Sequence, residues 1–167
     1  TAGYILVDPD EGRMTGEDVG VGRYPETKKI LSFIREALHL TSDLKGRKIL
    51  ISAGGTREAI DDVRFIGNRS SGKQGIAIAK AAAARGASVT LIAANIQSGR
   101  VFGVTQVDVI STSDLQGALA ANFDSTDVLI MAAAVSDARP IATEGKVKKS
   151  DFKNIELVEN PDLLAEV

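Results

Sequence analysis

The amino-acid sequence predicts an α/β fold, a Rossmann-like parallel sheet that is flanked by helices and incomplete at its C-terminal end. From residue 48 onward, short β-branched runs alternate with helical segments, as in a parallel sheet. The strand runs show almost no alternation of polar and apolar residues, so both faces of each strand need cover from helices. Apolar residues make up 44% of the 167 residues and charged residues 25%, which is ordinary for a globular domain.

Three regions follow one another along the chain. Residues 1–24 hold a short apolar start and a glycine-rich run, and they are too few to bury a core. Residues 25–47 are predicted to form a connecting helix and a linker. The apolar side of this helix consists of Ile30, Leu31, Ile34 and Leu38. Residues 48–167 form the α/β unit, in which ligands are expected at the carboxyl ends of the strands.

Within the α/β unit, strands and helices are predicted to alternate. The four predicted strands are residues 48–52, 88–93, 107–110 and 127–132. One helix is predicted over residues 75–85, and a second is predicted from a cap at Ser113 through Asn122. A last helix is predicted to begin at residues 160–162, because proline is favoured in a first helical turn. Since the chain stops inside that segment, we expect it to be a piece of a longer polypeptide.

Composition argues against several classes of protein. The formal net charge of −2 provides no basic field to hold nucleic acid, so no nucleic-acid partner is expected. Without cysteine there are no disulfides, and the single histidine, His39, cannot supply a multi-histidine metal site. No stretch approaches the ~20 apolar residues of a membrane span, and the start lacks the pattern of a signal peptide. We therefore expect a cytoplasmic protein with no membrane partner and no protein-held metal.

The first candidate site is the glycine- and serine-rich sequence that follows the first strand. Gly54-Gly55 leads on to residues 68–75, where Ser70, Ser71 and Gly72 precede Lys73 and a helix. Backbone amides, hydroxyl groups and a cation at a helix start suit a phosphate group. The order of residues matches neither a Walker loop nor the glycine fingerprint of dinucleotide-binding proteins. A turn that only caps the helix therefore remains an alternative.

Three further candidates follow the fourth strand. In the segment 131–140, small residues at the strand end would let a flat base or sugar approach the backbone. Asp137 lies just past the strand end, where it either faces a ligand or only pairs with an arginine or caps a turn. The lysine run at residues 146–149 is either an anion contact or a solvated charge cluster. The segment at residues 160–162 either presents amides to an anion or only caps a helix.

Taken in order, these motifs resemble phosphopantothenate–cysteine ligase, also called phosphopantothenoylcysteine synthetase, which is the synthetase half of a bifunctional coenzyme A protein of bacteria. The resemblance covers residues 46–167. The matching blocks are residues 51–58, 62–73, 132–140, 146–149 and 160–162. Residues 3–23 resemble the tail of the flavin-dependent decarboxylase half, with Gly16 where that family often carries a catalytic cysteine.

The resemblance implies a two-step ligation in coenzyme A biosynthesis. CTP activates the carboxylate of 4'-phosphopantothenate as an acyl-cytidylate, and cysteine then displaces CMP to form 4'-phosphopantothenoylcysteine. Mg2+ is expected with CTP, because the first step builds negative charge on a phosphate. The parent protein is expected to decarboxylate the product as well, with FMN bound in the decarboxylase half only. The family's ligase domain also continues past residue 164, so this chain is expected to hold only part of the site.

The resemblance also implies the site residues. Lys146 is expected to stabilise the charge on the α-phosphate, and Asn68 is expected to hold the acyl-cytidylate through its side-chain amide. Ser70, Ser71 and Gly72 are expected to contact phosphate. The remaining nucleotide contacts are expected from Met131, Ala132, Ala133, Asp137, Pro161, Asp162, Leu163 and Leu164. A homodimer of ligase domains within a larger homo-oligomer is expected. The alternatives are a non-catalytic nucleotide-binding Rossmann module and, with less support from the motifs, an NAD(P) reductase.

Overall fold

A computed structural model describes residues 5–16, 18–38, 42–141, 143, 145–148, 152 and 154–167. Strands β1 (Asp10–Arg13) and β2 (Val19–Arg23) form an antiparallel hairpin ahead of helix α1 (Thr27–Ala37). His39 and Lys149 lie outside the described residues. No helix in the described part of the chain is long and apolar enough to cross a membrane.

The predicted parallel sheet is confirmed. Its strands are β3 (Lys48–Gly54), β6 (Ser88–Ala94), β7 (Thr105–Val109) and β8 (Val128–Met131). Their spatial order is β7-β6-β3-β8, and every neighbouring pair is parallel. The chain therefore builds the sheet outward from β3 in one direction and returns to add β8 on the other side. The gap between the carboxyl ends of β3 and β8 is a topological switch point, which is where open α/β sheets bind ligands.

A helix covers each face of the sheet. Helix α2 (Lys73–Ala84) packs on one face, where Ile76, Ala79 and Ala82 join a buried cluster with strand residues. Its Gly75 lies so close to β3 that an added Cβ would come within 2.6 Å of the Ala53 Cβ atom. Helix α3 (Thr112–Phe123) covers the other face through Leu115 and Leu119. Cover on both faces explains why the strands are apolar without alternation.

Beside the β1/β2 hairpin, two short antiparallel pairs within the α/β unit were not predicted. Strands β4 (Arg57–Ala59) and β5 (Phe65–Gly67) form a hairpin between β3 and α2, where no strand was predicted. Strands β9 (Ala138–Pro140) and β10 (Leu157–Glu159) pair after the end of β8. Each strand has three residues, which is too short for a clear polar–apolar period.

Two predicted helix starts are wrong. Helix α3 is capped by Ser111 and not by Ser113, because the Ser111 hydroxyl accepts from the amide of Asp114 while the Asp114 carboxylate accepts from the amide of Ser111. The segment at residues 160–162 starts no helix, and a turn follows it. Leu163 in that turn is only 4% exposed and packs against the α3 face, which favours a tight turn over a helix directed away from the core.

Candidate functional site

A cavity of about 660 Å³ lies beside the carboxyl end of β8. Its wall includes seven of the residues for which the family resemblance implied nucleotide contact, namely Met131, Ala133, Asp137, Pro161, Asp162, Leu163 and Leu164. The wall also includes Val135, Ser136, Ala138 and Asn160, which lie in the candidate segments 131–140 and 160–162 but were not named as nucleotide contacts, and Glu159, which lies in neither segment. Two segments that are distant in the sequence therefore form one concave surface beside the carboxyl end of β8.

Ser52 holds the backbone at the carboxyl end of β8. Its side chain is fully buried in β3, and its hydroxyl oxygen accepts from the amides of Ala132 and Ala133 at 3.2 Å each. Ala132 is not part of the cavity wall, whereas its neighbour Ala133 is. A serine inside an otherwise apolar strand was the available signal in the sequence for this role.

Hydrogen bonds of buried polar groups join the two segments of the cavity wall. The Thr56 hydroxyl accepts from the amide of Ser136 at 3.0 Å, and it lies 3.3 Å from the hydroxyl of Thr112. The side-chain amide of Asn160 donates to the Ser136 carbonyl at 2.8 Å and to the Thr112 hydroxyl at 3.3 Å. The backbone amide of Asn160 also donates to the carbonyl of Asp137 at 2.8 Å. Sequence reasoning did not predict these contacts of Thr56 and Thr112, because their partners are 48 to 80 residues away.

Glu58 is a buried carboxylate at the start of α3. The residue is 4% exposed, and its Oε1 atom accepts from the amide of Thr112 at 3.0 Å and from the Thr112 hydroxyl at 2.7 Å. A negative charge at a helix N-terminus is favourable, and these hydrogen bonds offset part of the cost of burial. Glu58 therefore fixes the position of Thr112 within the polar group beneath the cavity.

The carboxylate of Asp162 accepts hydrogen bonds from amides of its own turn. Its carboxylate Oδ1 atom accepts from the amide of Leu164 at 3.0 Å and from that of Ala165 at 3.3 Å. Leu164 was expected to contact the nucleotide, and in this structure its amide is engaged by Asp162. Leu163 and Leu164 contribute to the cavity wall.

Asn68, which follows β5, is joined to the loop after β8. Its side-chain Nδ2 atom donates to the Val135 carbonyl at 3.1 Å and to the Ala134 carbonyl at 3.3 Å. Val135 is part of the cavity wall, so Asn68 contacts a residue of the wall but is not itself part of the wall. The donor group that the predicted role requires is thus occupied by main-chain carbonyls.

The predicted phosphate loop packs closely against the end of β3. Gly72 precedes α2 with a φ of 73°, and Gly54 has a φ of 94°, a region in which other residues are strained. An added Cβ on Gly54 would lie 1.9 Å from the Ala94 carbonyl oxygen. The Ser70 hydroxyl accepts from the Gly72 amide at 3.4 Å, and Ser71 is exposed. These residues lie outside the cavity wall, on the α2 side of the switch point.

Lys146 is exposed and also lies outside the cavity wall. The residue after it, Val147, is held by the turn between β4 and β5. Its amide donates to the Asp61 carboxylate at 3.1 Å, and its carbonyl accepts from the Arg64 guanidinium at 3.0 Å. The guanidinium of Arg64 holds the pKa of the Asp61 carboxyl far below its ordinary value, with help from three backbone amides. Among the described residues, no group of three or more His, Asp or Glu side chains could hold a metal ion.

Bacterial proteins named for coenzyme A biosynthesis are similar to this chain in sequence. The coenzyme A biosynthesis bifunctional protein CoaBC of Mycobacterium tuberculosis H37Rv is 50% identical over 175 residues, which cover 99% of this chain and 41% of that protein. The protein of the same name from Escherichia coli K12 is 39% identical over 171 residues, covering 99% and 42%. The chain thus spans about two fifths of the length of these relatives.

Solved structures support the same relationship. The C-terminal domain of a coenzyme A biosynthesis bifunctional protein CoaBC superimposes with a TM-score of 0.66 at 40% identity, covering 75% of this chain and 59% of that one. A complex of a Cab2 mutant with phosphopantothenate-cysteine has a TM-score of 0.60 at 17% identity, covering 84% and 66%, and shows a shared fold alone. Residues 44–167 match the DNA/pantothenate metabolism flavoprotein C-terminal domain. The chain therefore belongs to the family of DNA/pantothenate metabolism flavoprotein C-terminal domains.

Proposed function

We propose that this chain carries the nucleotide-binding part of a CTP-dependent phosphopantothenate–cysteine ligase that acts in coenzyme A biosynthesis. The observation that carries the proposal is the cavity beside the carboxyl end of β8, whose wall contains seven of the residues assigned to nucleotide contact. The relatives named for coenzyme A biosynthesis support the pathway. The parent protein would act as a homodimer of ligase domains within a larger homo-oligomer, and its decarboxylase half would bind FMN.

The reaction would proceed in two displacements. A carboxylate oxygen of 4'-phosphopantothenate attacks the α-phosphorus of CTP, and pyrophosphate leaves with the electron pair of the broken P–O bond. The amine of cysteine then attacks the acyl carbon of the acyl-cytidylate. CMP leaves, and the amine loses a proton as the amide forms. Consuming the nucleotide is necessary because a free carboxylate is a poor acyl donor.

The cavity residues would bind the cytidine portion. Met131, Ala133 and Leu163 offer small or apolar surface to a flat base, and Asp137 offers a carboxylate at the strand end. The polar group formed by Thr56, Thr112 and Asn160 would keep the two sides of the cavity at a fixed spacing. Preorganised walls reduce the conformational entropy that the protein must lose when a ligand binds.

Lys146 and Asn68 would serve the reacting groups. Lys146 would place a cation near the α-phosphate as its charge grows during the first displacement. Asn68 would contact the acyl-cytidylate, in exchange for one of its hydrogen bonds to Ala134 or Val135. Mg2+ would enter with the triphosphate of CTP, because Mg2+ is commonly bound through substrate phosphates and few carboxylates.

Nucleotide binding tests the proposal directly. We expect CTP with Mg2+ to raise the melting temperature of the full-length protein more than ATP with Mg2+ does, since a ligand that binds only the folded state stabilises it. The measurement is a thermal shift with each nucleotide, with and without Mg2+. Stabilisation by ATP alone would contradict the choice of CTP, and CTP binding without acyl-cytidylate would favour a non-catalytic nucleotide-binding module.

A matched pair of variants tests the role of Lys146. We expect Lys146→Gln to slow the formation of acyl-cytidylate from CTP and 4'-phosphopantothenate, while Lys80→Gln, on the exposed side of α2, leaves the rate unchanged. The intermediate is followed by mass spectrometry in a reaction that lacks cysteine. An undiminished rate in Lys146→Gln would remove Lys146 from the site.

A further inference from the structure

The turn at residues 60–64, between β4 and β5, holds the segment that carries Lys146. It does so at separate points along that segment. The Thr143 amide donates to the Ile60 carbonyl at 3.2 Å, and both main-chain groups of Val147 are bound by Asp61 and Arg64. The Arg64 guanidinium also lies 3.9 Å from the centroid of the Phe152 ring.

Asp61 is the centre of these contacts. Its side chain is fully buried, and its Oδ1 atom accepts from the amides of Val63 and Arg64 at 2.9 and 2.8 Å. Its Oδ2 atom accepts from the Arg64 guanidinium and from the amide of Val147. A buried carboxylate is costly unless all of its acceptor positions are used. The contact with Val147 is therefore part of the set that makes the burial of Asp61 possible.

The position of this contact links Asp61 to the two residues assigned to the chemistry. The amide that Asp61 binds belongs to the peptide group between Lys146 and Val147, so it restrains the backbone from which the Lys146 side chain projects. On the other side, β5 begins directly after Arg64 and ends directly before Asn68. One turn thus connects the segments of Lys146 and Asn68, which are 78 positions apart in the sequence.

We propose that Asp61, together with Arg64, is a positioning residue that fixes the peptide group between Lys146 and Val147 and so presents Lys146 to the nucleotide. Asp61 touches no substrate in this role and acts through the backbone of the lysine segment. The consequence for catalysis rests on the proposed function of Lys146. The structural part does not, because it concerns only how the segment is held.

The test is Asp61→Asn, with Asp62→Asn as its matched control. An asparagine keeps one acceptor oxygen for the amides of the turn but turns an N–H group toward the donors that Oδ2 now satisfies. Asp62 is adjacent and exposed, so its variant makes the same chemical change at the surface. Arg64→Lys is the second variant, which keeps the charge but loses the forked guanidinium that reaches both Asp61 and Val147.

The first readout is limited trypsin digestion of the full-length protein. Cleavage in a folded protein requires local opening of the chain. We expect cleavage after Lys146 and Lys148 to be at least several-fold faster in Asp61→Asn and Arg64→Lys than in the wild type or in Asp62→Asn. Circular dichroism confirms that each variant is folded before digestion. Equal cleavage rates in folded Asp61→Asn and Asp62→Asn would overturn the proposal.

The second readout is the rate of acyl-cytidylate formation. A displaced catalytic group costs up to about 100-fold in rate, so we expect Asp61→Asn to lose about 10- to 100-fold in kcat. The KM for CTP should change little, because the cavity wall is untouched. If Lys146→Gln is fully active while digestion still separates the two aspartate variants, the function of Lys146 fails and the structural restraint stands. If Lys146→Gln is impaired while Asp61→Asn matches Asp62→Asn in both readouts, the positioning role fails.

Discussion

Hydroxyl groups of buried residues determine where the backbone lies around the cavity. Ser52 and Thr56 are each fully buried, and each accepts a hydrogen bond from a backbone amide in the loop after β8. A buried hydroxyl is costly without a partner, so these groups hold the loop in one arrangement. The shape of the cavity thus depends on side chains that no ligand needs to touch.

We expect Thr56→Val to destabilise the protein, because the Ser136 amide loses its acceptor in a buried position. Leaving a buried donor unsatisfied costs about 1–3 kcal/mol. The free energy of unfolding is measured by urea denaturation, with Thr105→Val on the exposed side of β7 as control. A change in Thr56→Val no larger than that of the control would show that the hydroxyl is dispensable.

At the scale of elements, the first turn of α3 is the meeting point of the sheet edge and the cavity. The helix begins with a capping box formed by Ser111 and Asp114. The carboxylate of Glu58 accepts a hydrogen bond from the first amide of the helix, that of Thr112. The hydroxyl of Thr112, the first helical residue, is within hydrogen-bond distance of Asn160 in the cavity wall. Where α3 begins therefore decides where Asn160 is anchored.

Two neighbouring serines test this assignment of the helix start. We expect Ser111→Ala to lower the free energy of unfolding by about 1 kcal/mol, since the cap bond to the Asp114 amide is lost. Ser113→Ala, in the exposed first turn, should change it by less than about 0.5 kcal/mol. Urea denaturation of both variants gives the comparison. A larger loss of stability in Ser113→Ala than in Ser111→Ala would support Ser113, which the sequence predicted as the cap.

For the whole molecule, lowered carboxyl pKa values make the free energy of unfolding depend on pH in the acidic range. The pKa values of Asp10, Asp43, Asp61 and Asp114 are all lowered, mainly by hydrogen bonds from Lys29, Arg85, Arg64 and the Ser111 amide respectively. Below an ordinary aspartate pKa of about 4, the unfolded chain binds protons that the folded chain does not. The stabilisation is therefore complete above that pH and is lost as the pH falls through the lowered values.

We expect the free energy of unfolding to fall steadily between about pH 5 and pH 2, in the window set by these lowered pKa values. Asp43 is exposed, so added salt should weaken its share, whereas the buried Asp61 should keep its effect. Urea denaturation across this pH range, repeated with Asp61→Asn, measures both. An identical pH dependence in the variant would show that Asp61 contributes nothing to acid sensitivity.

The sequence by itself determined the parallel sheet and the helices between its strands, because local patterns encode them, and the nucleotide contacts were inferred from the family resemblance. Continuous β-branched runs specify strands covered on both faces, and small residues at the end of β8 mark the place where a ligand can approach. Only the tertiary structure decided the course of residues 160–166, the true cap of α3 and the contact between Asp61 and Val147. Each of these depends on partners distant in the sequence, 86 residues apart for Asp61 and Val147. Hydrogen bonds and packing between such partners leave no local period, so they become visible only when the chain is folded.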